Sequence, residues 1–376
     1  MRDPSEPLSI AFAVPDLRPG KCGISDYSIR MAALLARRGI VTQILASHSS
    51  VAETLIETPE GTVRIGPLNR STSSSFDILA VQYVPGFNDS HRRFQRDVEL
   101  TRHPHIHLMV HELWLTDMRN YRLSLRKRIV AARQKQLLKR LIKKWKPASL
   151  ATSNRHYQAI LARSKIEARL SPMLGNIPMT PASGRPGGLK LPSWWPRKPS
   201  EFLFVSFGSL YTDYWDSNEM FAQARKLATE KNAAFKWVVV GKIPPSDQAA
   251  FQAAAVTAGF GDSIHFTGSL AGDAVDWWLR QANASFSGTP GEIWGKSGGI
   301  LAAVERRLPL LLPRGWEEGT LETGAVFARN MNEILEIMES NVAGRCSVVQ
   351  EWRTSEEVLQ AFLVLLGPVS QGRLLP

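Results

Sequence analysis

At 376 residues the chain has room for two domains with separate cores, and 44% hydrophobic against 21% charged residues describes a globular protein, not a disordered or fibrous one. Two cysteines, Cys22 and Cys346, supply neither a disulfide framework nor metal-ligand spacing, which points to a reducing compartment. The net charge of +12 is concentrated: Arg119 to Lys146 holds 12 Lys/Arg and no Asp or Glu, and the remaining 34 basic residues balance 34 acidic ones. A neutral body with one basic helix suggests a surface contact and argues against a nucleic-acid-binding protein.

The first residues, Met1 to Pro7, lack the apolar core of a secretion signal, and no apolar run approaches the roughly 20 residues that span a bilayer. The expectation is a cytoplasmic protein, peripheral at most to the inner face of a membrane. Leu8 to Val14 reads as a buried first strand and Pro15 to Gly23 as the loop after it. A helix is predicted from Ser25 to Arg38, with Tyr27, Met31, Leu34 and Leu35 on one stripe and Gly39 as its stop. Ile40 to Ala46 is the next strand. This strand–loop–helix–strand unit begins a parallel doubly wound sheet, in which ligands bind at the carboxyl ends of the strands. Gly20 and Gly23 lack the third glycine of a nicotinamide-dinucleotide fingerprint.

Further strands are predicted at Ile78–Tyr83 and Ile106–Val110, the second running into His111. His103, His105, His107 and His111 suggest a metal cluster, but no carboxylate or cysteine completes a familiar ligand set, and no metal is expected. His111 stands at a strand end, where it can position or deprotonate a substrate hydroxyl or serve a structural role. The basic segment is predicted to be a helix with Leu123, Val130, Leu137, Leu141 and Trp145 on its buried stripe. Its cationic faces are read either as solvated surface or as a contact for anionic lipid head groups.

Pro181, Gly184, Pro186, Gly187, Gly188, Pro192 and Pro196 mark a linker over 181–200, dividing an N-terminal domain (1–180) from a C-terminal one (201–354). A last helix from Ser355 to Leu366, within 355–376, can cross back to the first domain. The second domain restarts with a strand at Glu201–Ser209, followed by strands at Trp237–Lys242, Ile264–Gly268 and Ala284–Ser287 and helices at Ala274–Ala282 and around Met331–Glu339. Between Phe286 and Pro313 lies a glycine-bearing loop with Glu292 and Lys296, a short helix and a buried strand. A helix starting at Lys296-Ser297-Gly298-Gly299 presents unpaired amides and a positive dipole end, and Gly295 adds to the glycines beside which a phosphate can approach the backbone. That arrangement fits a diphosphate; an ordinary strand-to-helix turn fits it too.

Gly20-Lys21-Cys22-Gly23-Ile24-Ser25-Asp26-Tyr27, followed by a helix ending Ala36-Arg37-Arg38-Gly39, resembles the first loop of the GT-B-fold glycosyltransferases, in particular the retaining family four. His111, Asn176-Ile177-Pro178, the Trp237–Gly241 strand, the Ile264–Gly268 strand and Leu308-Pro309 are similar to further motifs of that family, so the resemblance covers nearly the whole chain. It implies two Rossmann-like doubly wound parallel-sheet domains facing a cleft, with the acceptor on the first and a nucleotide-diphosphate sugar on the second. With that resemblance His111 and Glu292 are expected to be catalytic and Gly23, Ile24, Gly208 and Ser209 to hold the donor together with the helix-start residues Gly295, Lys296, Ser297, Gly298 and Gly299, with Lys242 or Lys296 supplying the positive charge. No cofactor is expected beyond that donor. The family's second glutamate falls on Ile300, or on Ala302 when counted back from Pro309, and its Arg–Lys pair after the first strand of the second domain is replaced by Ser209-Leu210-Tyr211-Thr212-Asp213. These departures leave three readings open: a sugar transferase, a nucleotide-sugar epimerase, and a binding protein that catalyses nothing.

Overall fold

The computed structural model describes residues 6–47, 52–86, 88–114, 125–180, 184–210, 216–289, 295–311, 327–328, 331–342 and 354–366. The chain forms two compact units, Met1–Leu174 with Ser355–Pro376, and Gly175–Thr354.

In the first unit, β1 (Ser9–Val14) is followed by α1 (Gly23–Ala36), β2 (Val41–Ala46), β3 (Thr54–Thr58), β4 (Gly61–Pro67), α2 (Arg70–Ser73), β5 (Ile78–Tyr83), α3 (Asp89–Thr101), β6 (Ile106–Val110), α4 (Leu125–Trp145), β7 (Ser149–Thr152), α5 (Arg155–Arg163) and β8 (Arg169–Leu170). The strands form one eight-stranded sheet in the order β3-β4-β2-β1-β5-β6-β7-β8. It is parallel except where β3 folds back on β4. Central strands β1, β5 and β6 are buried at every residue, the pattern of a sheet covered on both faces.

In the second unit, β9 (Glu201–Phe207) leads through α6 (Ser217–Lys231), β10 (Ala234–Val240), α7 (Pro245–Thr257), β11 (Ile264–Gly268), α8 (Gly272–Gln281), β12 (Ala284–Phe286), α9 (Gly298–Glu305), β13 (Leu310–Leu311) and β14 (Phe327–Ala328) to α10 (Met331–Val342). Its six strands are all parallel, in the order β11-β10-β9-β12-β13-β14. Leu203, Val205, Val238 and Val240 pack with α8 and α9 on one face; Phe204, Trp237 and Val239 pack with α6, α7 and α10 on the other. Residues 184–200 contain no helix or strand, yet Leu189, Leu191, Trp194 and Trp195 lie against the α8–α9 core, so this stretch is a packed strap of the second unit.

α11 (Ser355–Leu365) belongs to the first unit, where Val358, Leu359, Phe362 and Leu363 join the core built on β1 and α1. Phe362 stacks on Phe12 and meets the His107 ring edge-on at 5.4 Å. His107 also bonds Ser149 Oγ through Nδ1 at 2.7 Å. His103 uses both ring nitrogens, bonding Phe76 O and accepting the His105 amide. These histidines are core and turn residues, and the described residues contain no group of three or more His, Cys, Asp or Glu suited to a metal.

In α4 the buried stripe is Ala131, Gln134, Leu138, Leu141 and Trp145: the expected Leu141 and Trp145 belong to it, while Val130 and Leu137 are only half-buried. The observed stripe advances by alternating steps of three and four, which keeps it on one face of a 3.6-residue helix. A polar Gln134 within it disguised that register. The expected Leu123 lies outside the described residues.

Burial holds the His107 imidazole neutral, pushing its pKa from 6.5 down to about 4. The unfolded chain therefore binds this proton more readily than the folded protein. The contribution to stability is complete above about pH 6.5 and is lost as pH falls through about 4. Between pH 7 and 4.5, wild type is expected to lose on the order of 2 kcal/mol more stability than His107→Gln. Urea midpoints at the two pH values measure it; identical losses in both proteins would contradict this account.

Candidate functional site

In a parallel sheet all strands end on one edge, and loops from several strands converge there. In the second unit this edge carries the ends of β9, β10 and β12 and the start of α9. Ser297 caps α9 by accepting from the Ile300 amide. The first backbone bond of the helix runs from Leu301 N–H to Ser297 O at 2.9 Å. The amides of Gly298 and Gly299 lie ahead of that bond and have no acceptor within the helix.

The start of α9 rests directly on the end of β9. A Cβ on Gly299 would lie 2.3 Å from Phe207 O, so this position tolerates only a bare backbone. A Cβ on Gly298 would meet the Asn176 side chain at 2.6 Å, and one on Gly175 would meet Ala302 N at 2.7 Å. The glycines thus have a packing role that sequence reasoning did not include. Gly208 (φ +99°) and Gly241 (φ +126°) lie side by side at the ends of β9 and β10 in a backbone region that favours glycine. Their amides bond Val240 O and Gly268 O, so what they offer a ligand is open backbone, not donors. Ser209 and Lys242, which follow them, are exposed, while Gly295 and Lys296 are half-buried just before the Ser297 cap. Glu292 lies outside the described residues.

Ile300 is 2% exposed and Ala302 fully buried, both in the α8–α9 core. Neither position can offer a ribose ligand. Asn176, which sequence reasoning placed only in a turn, stands at the helix start with a buried Oδ1 lacking a partner among the described residues.

The other end of α9 is fastened by charge. Asp276 on α8 is fully buried and accepts from Arg306 Nε at 2.7 Å and Arg280 Nε at 2.9 Å, as well as from the Thr180 amide and hydroxyl. Burial alone would push this carboxyl up; hydrogen bonds from Arg280 and Thr180 and the Arg306 charge together hold it below its ordinary range. Arg306 also donates to Ile177 O and Pro178 O, and Glu305 accepts the Gly175 amide at 2.9 Å. The Gly175–Thr180 turn is thereby tied to α8 and α9.

The corresponding edge of the first unit gathers His111, Gln82 and Tyr27. The His111 amide continues the β5–β6 ladder to Tyr83 O, its Nε2 lies 2.7 Å from Gln82 Oε1, and Tyr27 meets its ring edge-on at 5.4 Å. The loop after β1 wraps the start of α1: Ser25 Oγ donates to Asp16 O and accepts the Arg18 amide, and Asp26 accepts the Gly20 amide at 2.7 Å. Burial pushes the Asp26 carboxyl up to about 6, against the opposing Gly20 bond. Gly23 and Ile24 open α1, two residues earlier than expected, with Gly23 exposed and Ile24 half-buried. Gly23, Ile24 and His111 thus belong to the first unit, and the other described donor candidates belong to the second.

No family model and no curated protein matches the sequence. Solved structures do match. A glycosyltransferase from Rickettsia africae ESF-5 is 13% identical with a TM-score of 0.59, over 96% of this chain and 98% of that one. Anabaena HepE, solved in complex with UDP and glucose, is 11% identical with a TM-score of 0.52, over 97% of each chain. A putative UDP-N-acetylglucosamine 2-epimerase from Listeria monocytogenes is 11% identical with a TM-score of 0.56, over 97% of this chain and 96% of that one. The fold is GT-B. At these identities the likeness establishes the GT-B fold and leaves the chemistry to the site itself.

Gly299→Ala is expected to cost about 1–3 kcal/mol through overpacking against Phe207 O, lowering the melting temperature by several degrees. Gly23→Ala, whose added Cβ meets nothing within 4 Å, should leave it nearly unchanged. Equal melting temperatures for the two variants would refute the close contact of α9 with β9.

Proposed function

We propose that this chain is a glycosyltransferase of the retaining family-four type, moving a sugar from a nucleotide-diphosphate sugar to an acceptor hydroxyl. The observation that carries this reading is the start of α9, where the Gly298 and Gly299 amides are open at the carboxyl edge of a parallel sheet. The bond from the anomeric carbon to the diphosphate oxygen breaks, a bond to the acceptor oxygen forms, and the acceptor's proton is released. Negative charge accumulates on the departing diphosphate, where fixed amide dipoles, the Ser297 hydroxyl and Lys296 stabilise it, with Lys242 following Gly241 at the end of β10. In this reading Glu292 holds donor hydroxyls and His111 contacts the sugar or the acceptor. Gly23 and Ile24 are donor contacts by resemblance to the family. The sequence has no Asp-x-Asp cation site, and the reaction is proposed to run without a metal.

A second reading, a protein that binds a nucleotide sugar without turning it over, draws on the buried Ile300 and Ala302 where the family carries a glutamate. Epimerisation on the same fold needs no acceptor, and acceptor dependence separates it from transfer.

The test is a thermal-shift panel of UDP-, GDP-, ADP- and dTDP-sugars on wild type and Lys296→Ala. A donor at 100 times its Kd should stabilise by about 2.7 kcal/mol, with the shift reduced in the variant. Acceptor-dependent release of nucleoside diphosphate, undiminished by EDTA, would then establish transfer. No shift with any donor would overturn the assignment.

The acceptor is proposed to be lipid-linked or a saccharide at an anionic membrane surface. Arg126, Lys127, Arg128, Arg133, Arg140 and Lys143 are exposed on α4, with Leu125 75% and Ile129 47% exposed among them. Among the described residues no helix is long and apolar enough to cross a membrane, so attachment would be peripheral. Each basic side chain near an anionic surface contributes about 1 kcal/mol, and the two apolar ones add burial among acyl chains. The protein should sediment with phosphatidylglycerol vesicles and not with phosphatidylcholine ones. Leu125→Gln/Ile129→Gln should weaken that binding; equal binding to both vesicle types would exclude a charge-directed contact.

A further inference from the structure

We infer that Gln82 is a positioning residue that fixes the tautomer of His111, placing the proton on Nε2 and leaving the ring's lone pair on Nδ1. A neutral imidazole carries one N–H, and which nitrogen holds it is set by what each nitrogen faces. His111 Nε2 faces the Gln82 side chain, and an amide can present either its oxygen or its NH2 group. Here the choice is made on the far side of the amide. Gln82 Nε2 lies 3.2 Å from Ala80 O, a backbone carbonyl that can only accept. The amide must therefore direct its N–H at Ala80 and its Oε1 at His111, 2.7 Å from Nε2. An oxygen at that distance requires a donor, so Nε2 carries the proton.

Burial makes this choice binding. Gln82 is fully buried and His111 is 3% exposed, so water cannot stand in for a lost partner. Turning the amide over would set two oxygens against each other at Ala80, an interior mismatch with nothing to relieve it. Tyr27 packs edge-on against the ring with an interplanar angle of 72°, and the His111 amide bond to Tyr83 O holds its main chain in the ladder. The information thus passes from a strand carbonyl through the Gln82 amide to the imidazole.

The consequence for chemistry rests on the glycosyltransferase reading given above. In this tautomer Nδ1 is the His111 nitrogen that can accept a hydrogen bond or take a proton, and it is not a neutral donor. Gln82 never needs to touch the substrate to impose that sign.

The experiment is ring-15N spectroscopy of histidine-labelled, ligand-free protein, with the His111 signals assigned by their loss in His111→Asn. Wild type should show the Nε2–H pattern, with Nδ1 as the unprotonated nitrogen. Gln82→Glu keeps an oxygen opposite Nε2 and should keep Nε2 protonated. Gln82→Leu removes the acceptor and should give mixed tautomers while circular dichroism shows the fold intact. Nδ1–H with an unprotonated Nε2 in wild type would overturn the inference, and needs no variant to be seen. An unchanged pattern in a folded Gln82→Leu would overturn it as well. Because the measurement is made without donor or acceptor, its failure is separate from a failure of the proposed activity.

Discussion

The contact between Gly299 and the Phe207 carbonyl sets the geometry of the second unit. A helix that must bring its first-turn amides to a sheet edge has to come closer to the strand end than any side chain allows, and only glycine permits that approach. Once α9 is seated there, its inner face, from Ile300 to Val304, fills the core against α8. The helix then ends at Arg306, which is held by the buried Asp276. One end of α9 is placed by an absent side chain and the other by a charge cluster.

That cluster has an energetic logic of its own. A carboxylate at zero exposure is strongly disfavoured unless every lone pair is engaged, and Asp276 has two arginines and Thr180 around it. Removing either arginine strands charge in the interior, so the cluster resists partial loss. The Arg306 bonds to Ile177 O and Pro178 O extend this rigidity into the turn that carries Asn176 to the start of α9. The first unit solves a similar problem without full charges, using Gln82 to connect a strand carbonyl to His111.

Most of the parallel framework was legible in sequence because buried strands leave largely apolar runs: Ile78–Tyr83 and Ile106–Val110 form as predicted, and so does the half-buried edge strand Ile264–Gly268. Elements without such runs were missed. At the sheet edge β3 has no buried residue and its partner β4 buries only Val63, Ile65 and Gly66. α3 buries only Phe94, Val98 and Thr101 in thirteen residues, and its polar surface obscures the period. At the site, the glycine start of α9 was readable from local rules, whereas Ser297 was read as a ligand contact and not as the cap it forms. The roles of Gln82 and Asn176 were not, since each depends on a partner 29 or 122 positions away, His111 and Gly298. A lone glutamine in an apolar strand was the available signal for the first of these.

The central claim is that a diphosphate binds at the start of α9, and amide hydrogen exchange with and without the stabilising nucleoside diphosphate tests it most directly. The account predicts slowed exchange at the Gly298 and Gly299 amides on binding. Binding that leaves those amides unprotected and slows exchange elsewhere in the chain would contradict it.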